Sequence, residues 1–300
     1  MLSSPIIDVL CIGHAAYDLI FSVAQHPASD EKVVADEFMA CGGGPAANAA
    51  VQVARLGLNS AFAGYLGQDL YGDKHLQELA AAGVNCDYIV RGSSPTPLST
   101  ILVKPNGQRA LINFKGETQA LAATALDFSK LTPKTVLFDG HEPNLSLASL
   151  ANCTQRNIPT VLDAGSLHTG TRMLMQQVTY LVCSEKFACQ FAGDASTALQ
   201  QLAELAPAVV ITLGERGLIW RRGVEHGRLS AYQINCVDST GAGDAFHGAF
   251  AAALSCGLGW QEILRYASAA GSLCCTQMGA RPGLADKATH QQLFTQDLPT

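Results

Sequence analysis

The stretch TVLFDGHEPNLSLASLANCTQRNIPTVLDAG, residues 135–165, reads as two buried strands joined by a helix. TVLFDG (135–140) and IPTVLDAG (158–165) are apolar, β-branched runs, and Leu145–Arg156 between them carries a helix-period pattern. Strands that are apolar on both faces need cover on both faces, which a parallel sheet between two helix layers provides. The same alternation extends in both directions. IDVLCIG (7–13), SAFAGYLG (60–67), TYLVCS (179–184) and AVVITLG (208–214) read as further strands. Ala46–Leu56, Asp73–Ala82 and Ala195–Leu205 read as further helices, and Gly57, Gly83 and Gly257 fall where a left-handed C-terminal cap favours glycine. The expected class is α/β, three layers α/β/α around a mostly parallel central sheet.

Two segments break this rhythm, about 19–40 and 96–116. In the second, LSTILVKPNGQRALINFK (98–115), two extended arms flank Pro105, Asn106 and Gly107, a turn composition. A few antiparallel strands beside a parallel core form a small flap. With no repeat, low-complexity run or linker, residues 1–300 read as one domain with a β-lid.

The chain is 48% hydrophobic and 15% charged, enough to bury a sizeable core over 300 residues. A net charge of -6 argues against a nucleic-acid partner, which calls for a basic face. The N-terminal apolar run is short and broken by Asp8, and no other run is long enough to span a bilayer, so no membrane is expected. Ten cysteines contain no C-x-x-C pair; Cys11, Cys183, Cys236 and Cys256 sit among apolar neighbours, which predicts buried, reduced thiols and a cytoplasmic protein.

Three sites ask for more than ordinary structure. In DSTGAGDAFHGAFAAAL (238–254), Phe246, Ala249, Phe250 and Ala253 make an apolar helix face, so a helix starts near Ala242–Asp244. Gly241 and Gly243 allow a tight turn that leaves the amides of 241–244 free to face an anion, where the helix dipole adds positive potential. That potential is expected to hold Asp244 ionised, and a carboxylate beside an anion cradle suits removal of a proton from an attacking hydroxyl. The same residues also fit an acidic first turn after a glycine turn. Neither nucleotide fingerprint is present: there is no G-x-x-x-x-G-K-[ST], and Phe246 replaces the last glycine of G-x-G-x-x-G.

In CGGGPAANAAVQVARLG (41–57), Pro45 suits a helix start, the glycines admit a ligand close to the backbone, and Asn48 offers a donor and an acceptor for sugar hydroxyls. A hinge is the plainer alternative. In GHAAYDLIF (13–21), Asp18 follows the first strand at the carboxyl edge, where open α/β sheets bind ligands. A solvated turn fits it equally.

Taken in order, these pieces resemble the ribokinase (PfkB-type) family of carbohydrate kinases over nearly the whole chain. Gly42 and Gly43 with Asn48, Gly57 and Gly67 look like its N-terminal signature, and Asp238–Asp244 is similar to its C-terminal one. GQDLYG (67–72) and VVITLGERG (209–217) also look family-like. The resemblance implies transfer of a phosphoryl group from ATP to a sugar-like hydroxyl with magnesium, potassium being a further cation to test. It implies Asp244 as general base and Gly241, Ala242 and Gly243 as anion hole. Asp18, Gly42, Gly43 and Asn48 would hold the acceptor, joined by Asn113 on the hairpin's second arm and His141 after strand 135–140. Ser184, Thr212, Gly214 and Gly217 would line the nucleotide site, and a homodimer through the lid is implied.

Two departures stand out. Where many members carry N-x-x-E, this chain has Ser184-Glu185-Lys186-Phe187, leaving Glu185 as the candidate metal ligand; where many have asparagine in a late helix, it has Ser268. GGGPAAN is most similar to a bacterial branch that includes sulfofructose kinases, whose acceptor is anionic; Lys32, Arg109 and His141 are the basic candidates, each also readable as an exposed residue. A nucleoside acceptor, or a sugar-binding regulatory protein without phosphotransfer, are the alternatives.

Overall fold

The structure, a computed structural model, describes residues 6–296. Its first half runs β1 (Val9–Ile12), β2 (Ala16–Ser22), β3 (Glu37–Gly43), α1 (Pro45–Arg55), β4 (Ser60–Gly67), α2 (Leu70–Ala81), β5 (Asn85–Gly92), β6 (Leu98–Val103) and β7 (Arg109–Phe114). Then come β8 (Thr135–Phe138), α3 (Pro143–Arg156), β9 (Thr160–Ala164), α4 (Thr169–Leu174), β10 (Tyr180–Ser184), α5 (Glu185–Ala192) and α6 (Ala195–Leu202). The chain continues through β11 (Ala208–Thr212), β12 (Leu218–Arg222), β13 (Glu225–Leu229), α7 (Ala242–Ser255), α8 (Trp260–Cys274), α9 (Ala280–Gly283) and α10 (Lys287–Phe294).

Nine strands form one sheet in the order β13-β12-β11-β10-β9-β8-β1-β4-β5. Pairing is parallel from β11 to β5 and antiparallel for β12 and β13. The apolar strands are buried because one cluster, with α1, α7 and α8, covers one face, and a second, with α3, α5 and α6, covers the other. From β1 the order grows toward β4 and β5 on one side and toward β8–β11 on the other, so the connection direction reverses between β1 and β8. Open α/β sheets bind ligands at the carboxyl edge of that reversal.

A second sheet of four strands, β3-β2-β6-β7, stands beside the first. Its arms reach beyond residues 19–40, because the chain enters β2 directly after β1 and leaves β3 directly into α1. Asp18, Gly42 and Gly43 are therefore strand residues and not loop residues. The Pro105–Gly107 turn closes β6 onto β7, with Gly107 N–H donating to the Lys104 carbonyl at 2.8 Å.

Five cysteines are buried, Cys11, Cys41, Cys153, Cys183 and Cys274, and all ten are free thiols. Cys236 and Cys256, expected inside, are exposed together with Cys189. Their apolar neighbours mislead because Cys236 lies in an irregular segment and Cys256 caps the end of α7, where the helix has already left the core. No helix among the described residues is long and apolar enough to cross a membrane.

Candidate active site

The carboxyl ends of β1 and β8 are joined by one carboxylate. Asp139 Oδ2 accepts from His14 N–H (2.7 Å) and Ala46 N–H (3.2 Å), and its Oδ1 accepts from His141 N–H (2.9 Å). It thereby ties the turn after β1 and the start of α1 to the end of β8. Pro45 opens α1 without an N–H to satisfy, and every residue from Ala46 to Val53 is buried. The helix crosses α7 where a Cβ on Gly248 would lie 2.6 Å from the Ala49 carbonyl oxygen. Small residues at that crossing bring Asn48 of α1 against Asp244 of α7, whose side chains meet at 2.7 Å, Asn48 Nδ2 donating to Asp244 Oδ2.

α7 begins at Ala242 with Gly241 as its N-cap, in agreement with the expected start. Gly241 adopts φ +79, open to glycine, and a Cβ there would sit 2.4 Å from that of Ala280. The N–H groups of Gly241, Gly243 and Asp244 have no hydrogen-bond partner among the described residues; that of Ala242 differs from expectation in donating to the Ser239 carbonyl at 3.3 Å. The turn is tight enough to close this bond, so three of the four amides remain free. Beside Gly243, a Cβ would meet no atom within 4 Å, so this face of the turn is open.

Asp244 departs from expectation in its acidity. Burial raises its pKa above the usual carboxylate range, and the Asn48 hydrogen bond and His247 pull only partly the other way. Desolvation disfavours the charged form more strongly than one helix terminus favours it. The result is a more basic carboxylate. Behind it, His247 Nδ1 lies 2.6 Å from the Gly243 carbonyl and 3.3 Å from Asp163 Oδ2, and its Nε2 lies 3.1 Å from the Val182 carbonyl. Burial works against a charged ring, yet only the doubly protonated form donates from both nitrogens. The ring fixes the Gly243 carbonyl inward.

The small sheet supplies the facing wall. Asp18, Ser99 and Asn113 occupy one row across β2, β6 and β7, so their side chains share a face. Burial pushes the Asp18 carboxyl up to about 6, against the hydrogen bond from Ser99. A Cβ on Gly43 would overlap the Asp18 carboxyl at 2.2 Å, and one on Gly42 would lie 2.4 Å from His75 Cδ2. Both glycines are thus explained by close approach. The hairpin also reaches the turn that precedes α7, where Arg109 Nη1 donates to Thr240 Oγ1 at 2.6 Å.

His141 stacks on His168 with ring centroids 4.7 Å apart, and its other neighbour His14 lies at 5.2 Å. His14, His141, Tyr65, Lys115 and Glu142 line a cavity of about 120 Å³ between the two sheets. Burial raises the Glu142 pKa to about 7 although its carboxylate accepts from Leu121 N–H at 2.7 Å. Lys32, in contrast, is exposed between β2 and β3.

Ser184 and Thr212 pair directly at the carboxyl ends of β10 and β11, and Gly214 and Gly217 form the turn that follows. These four lie together at the carboxyl edge of the large sheet. The Ser184 hydroxyl caps α5 by accepting from Phe187 N–H at 3.1 Å, and the Glu185 carboxylate is ion-paired with Arg216. Among the described residues no group of three or more acidic, histidine or cysteine side chains is placed to hold a metal. Ser268 is buried within α8.

Sequence reasoning missed Asp139, His75, Lys115, Glu142, Asp163, His247 and Arg281. Asp139 and Asp163 come at the ends of the apolar strands TVLFDG and IPTVLDAG, positions that could have marked them; the others are single polar residues within helices or loops with no local pattern.

Comparison with known proteins places nearly the whole chain in one family. Residues 7–287 match the model of the pfkB family carbohydrate kinases. A ribokinase of Bacillus subtilis is 28% identical over 293 residues, covering 96% of this chain and 99% of that one. A deoxyribokinase of Salmonella typhi is 25% identical over 267 residues, 81% of this chain and 84% of its own length. The solved structure of Arabidopsis thaliana ribokinase complexed with ribose and ATP superposes with a TM-score of 0.85 at 25% identity, covering 98% of this chain and 100% of that one. The sheet order, the glycine-opened helix α7 and the family match together make this chain a member of the pfkB family of carbohydrate kinases, a phosphotransferase with the ribokinase-like fold.

Proposed function

We propose that the protein moves the γ-phosphoryl group of ATP to a hydroxyl of a sugar or sugar derivative held between the small sheet and the carboxyl edge of the large one. The observation that carries this reading is the carboxylate of Asp244, made more basic by burial, in the same helical turn as the amides of Gly241 and Gly243, which have no partner among the described residues. The acceptor oxygen attacks the γ-phosphorus while its proton passes to Asp244. The bond from that phosphorus to the bridging oxygen breaks, and ADP leaves with the electron pair. Free amides at the start of α7 stabilise the charge on the phosphoryl oxygens as it transfers. Asp18, Asn48, Asn113, His141 and the Gly42–Gly43 backbone hold the acceptor; Ser184, Thr212, Gly214 and Gly217 line the nucleotide side.

Magnesium keeps several waters and takes one or two carboxylates plus substrate phosphates. Glu185 is already paired with Arg216, so this donor set suits an ion carried by the nucleotide, where it would neutralise phosphate charge. Activity after chelation, and with potassium replaced by sodium, reads out both cations. Residues 1–300 act as one domain, with the small sheet as a lid that excludes water on closing. Phe38, Ile112 and Phe114, exposed on the outer face of that sheet, support a homodimer through it, whose mass light scattering measures. We place the enzyme in the cytoplasm, as its free thiols support.

An acceptor screen with ATP and magnesium, coupled to ADP release, tests the reading; ribose and deoxyribose, the acceptors in the relatives' names, lead it, followed by ketoses and nucleosides. Asp244→Asn should lower kcat by about 10²–10⁴-fold, the usual worth of base catalysis. Retention of activity within a few-fold would remove Asp244 from the role. Sugar binding without ADP release across the screen would favour a regulatory protein instead.

A further inference from the structure

Asn48 touches Asp244, but an amide has two ends of nearly equal shape, and only one of them helps a carboxylate. Its NH2 donates to Asp244 Oδ2; turned over, its oxygen would face the carboxylate and repel it. What decides the orientation lies 233 residues further along the chain, in α9. Arg281 Nε donates to Asn48 Oδ1 at 2.8 Å, and a guanidinium has donors only. The oxygen must face Arg281, so the NH2 must face Asp244.

Arg281 is itself held with little freedom. It is 6% exposed, and its Nη2 lies 2.8 Å from His75 Nε2, which is fully buried in α2. That nitrogen must accept, which puts the ring proton on Nδ1, and Nδ1 is buried with no hydrogen-bond partner among the described residues. The ring is therefore set for the guanidinium at the expense of its other nitrogen. Burial and Arg281 both push the His75 pKa well down, which keeps it neutral and accepting. The absence of a side chain at position 42 belongs to the same arrangement, since a Cβ there would lie 2.4 Å from His75 Cδ2 and 3.1 Å from Arg281 Nη2. Behind the guanidinium, the Arg281 carbonyl accepts from Arg55 Nη1 at 2.9 Å.

Neighbouring residues of the same segment brace the other end of the catalytic turn. Gly279 N–H donates to Asp238 Oδ2 at 2.8 Å, and Ala280 packs against Gly241. Residues 279–281 thus touch the beginning of the turn, its cap and, through Asn48, its carboxylate.

We propose that Arg281 is a positioning residue for phosphoryl transfer: clamped by His75, it fixes the Asn48 amide so that one oxygen of Asp244 is held and the other is left for the acceptor hydroxyl. This rests on Asp244 being the base, so Asp244→Asn is assayed in parallel; if that variant keeps its activity, the base assignment fails and the role of Arg281 fails with it, for a reason visible separately.

The test is a double-mutant cycle with Arg281→Met and Asn48→Ala, read as kcat and as KM for ATP, with thermal melts to monitor folding. Arg281→Met should lower kcat by about 10–100-fold, the scale of one lost charge-assisted hydrogen bond, with KM for ATP nearly unchanged. In the Asn48→Ala background the same substitution should cost less than about 3-fold, because coupled residues are non-additive. Arg281→Lys, which keeps a donor toward Asn48, should recover most of the loss. Equal losses in both backgrounds, or a loss confined to KM or to melting temperature, overturn the proposal. Should Arg281→Met fail to fold, Arg281→Lys carries the test: kcat near the parent value supports the clamp, and a loss as deep as that of Asp244→Asn overturns it.

Discussion

Gly243 and Gly241 look alike in the sequence but answer to different constraints. Gly241 has φ +79 and Ala280 against it, so a side chain there strains the fold; Gly243 is in the first helical turn with open space beside it. Gly243→Ala should therefore keep or slightly raise the melting temperature, since alanine is favoured over glycine in a helix by up to ~1 kcal/mol. Activity should nevertheless fall, because in the proposed mechanism the methyl group occupies the face that phosphate approaches. A drop in melting temperature with unchanged kcat would mean that this face is not a binding surface.

Glu142 gives the pH prediction at this scale. Burial raises its pKa to about 7 from an ordinary 4.5, so between those values the folded chain holds a proton that the unfolded chain has released. Its contribution to stability is therefore lost as pH rises from about 4.5 to 7, at ~1.4 kcal/mol for each pH unit over which the two states differ by one proton. Glu142→Gln keeps an acceptor for Leu121 N–H and removes the titration. Without ligand, its melting temperature relative to the parent should be higher at pH 7.5 than at pH 4.5. An equal difference at both pH values would show that the carboxyl does not titrate in this range.

At the scale of elements, the site exists because α1 and α7 cross closely. Gly248 admits the Ala49 backbone, and the crossing holds Asn48 against Asp244. Gly248→Val should force the helices apart, with ~1–3 kcal/mol lost in stability from overpacking and kcat falling more than KM for ATP. A variant that melts lower yet turns over normally would show that the helix separation does not set the catalytic contact. Elements also explain what periodicity leaves unread. β13, EHGRL, is a polar edge strand with no apolar alternation, and β5, NCDYIVRG, is only half-buried at the opposite edge. Edge strands meet water on one side, so the pattern that marks β8, β9 and β11 is diluted in them.

Across the whole molecule, the family signatures at 41–57 and 238–254 were legible because each is local: glycines, a helix start and one polar residue within a few positions. The apolar strand–helix alternation was legible for the same reason, as burial on both faces leaves continuous apolar runs. The partners of those signatures were not. His75 and Arg281, and Asp139 in its bonds to His14 and Ala46, are separated from the residues they hold by tens to hundreds of positions, and a buried polar side chain carries no local mark of what it will touch. The sequence by itself determined a parallel α/β sheet, a small β-sheet insertion, and a helix opening on glycines and Asp244. Only the tertiary structure decided that Asp244 is more basic than a helix N-terminus alone would make it. It also decided that Asp18 lies on a strand and not in a turn, and that a distant arginine bonds the Asn48 amide that holds Asp244. Those outcomes depend on desolvation and on contact across the fold, and neither is a property of any stretch of chain taken alone.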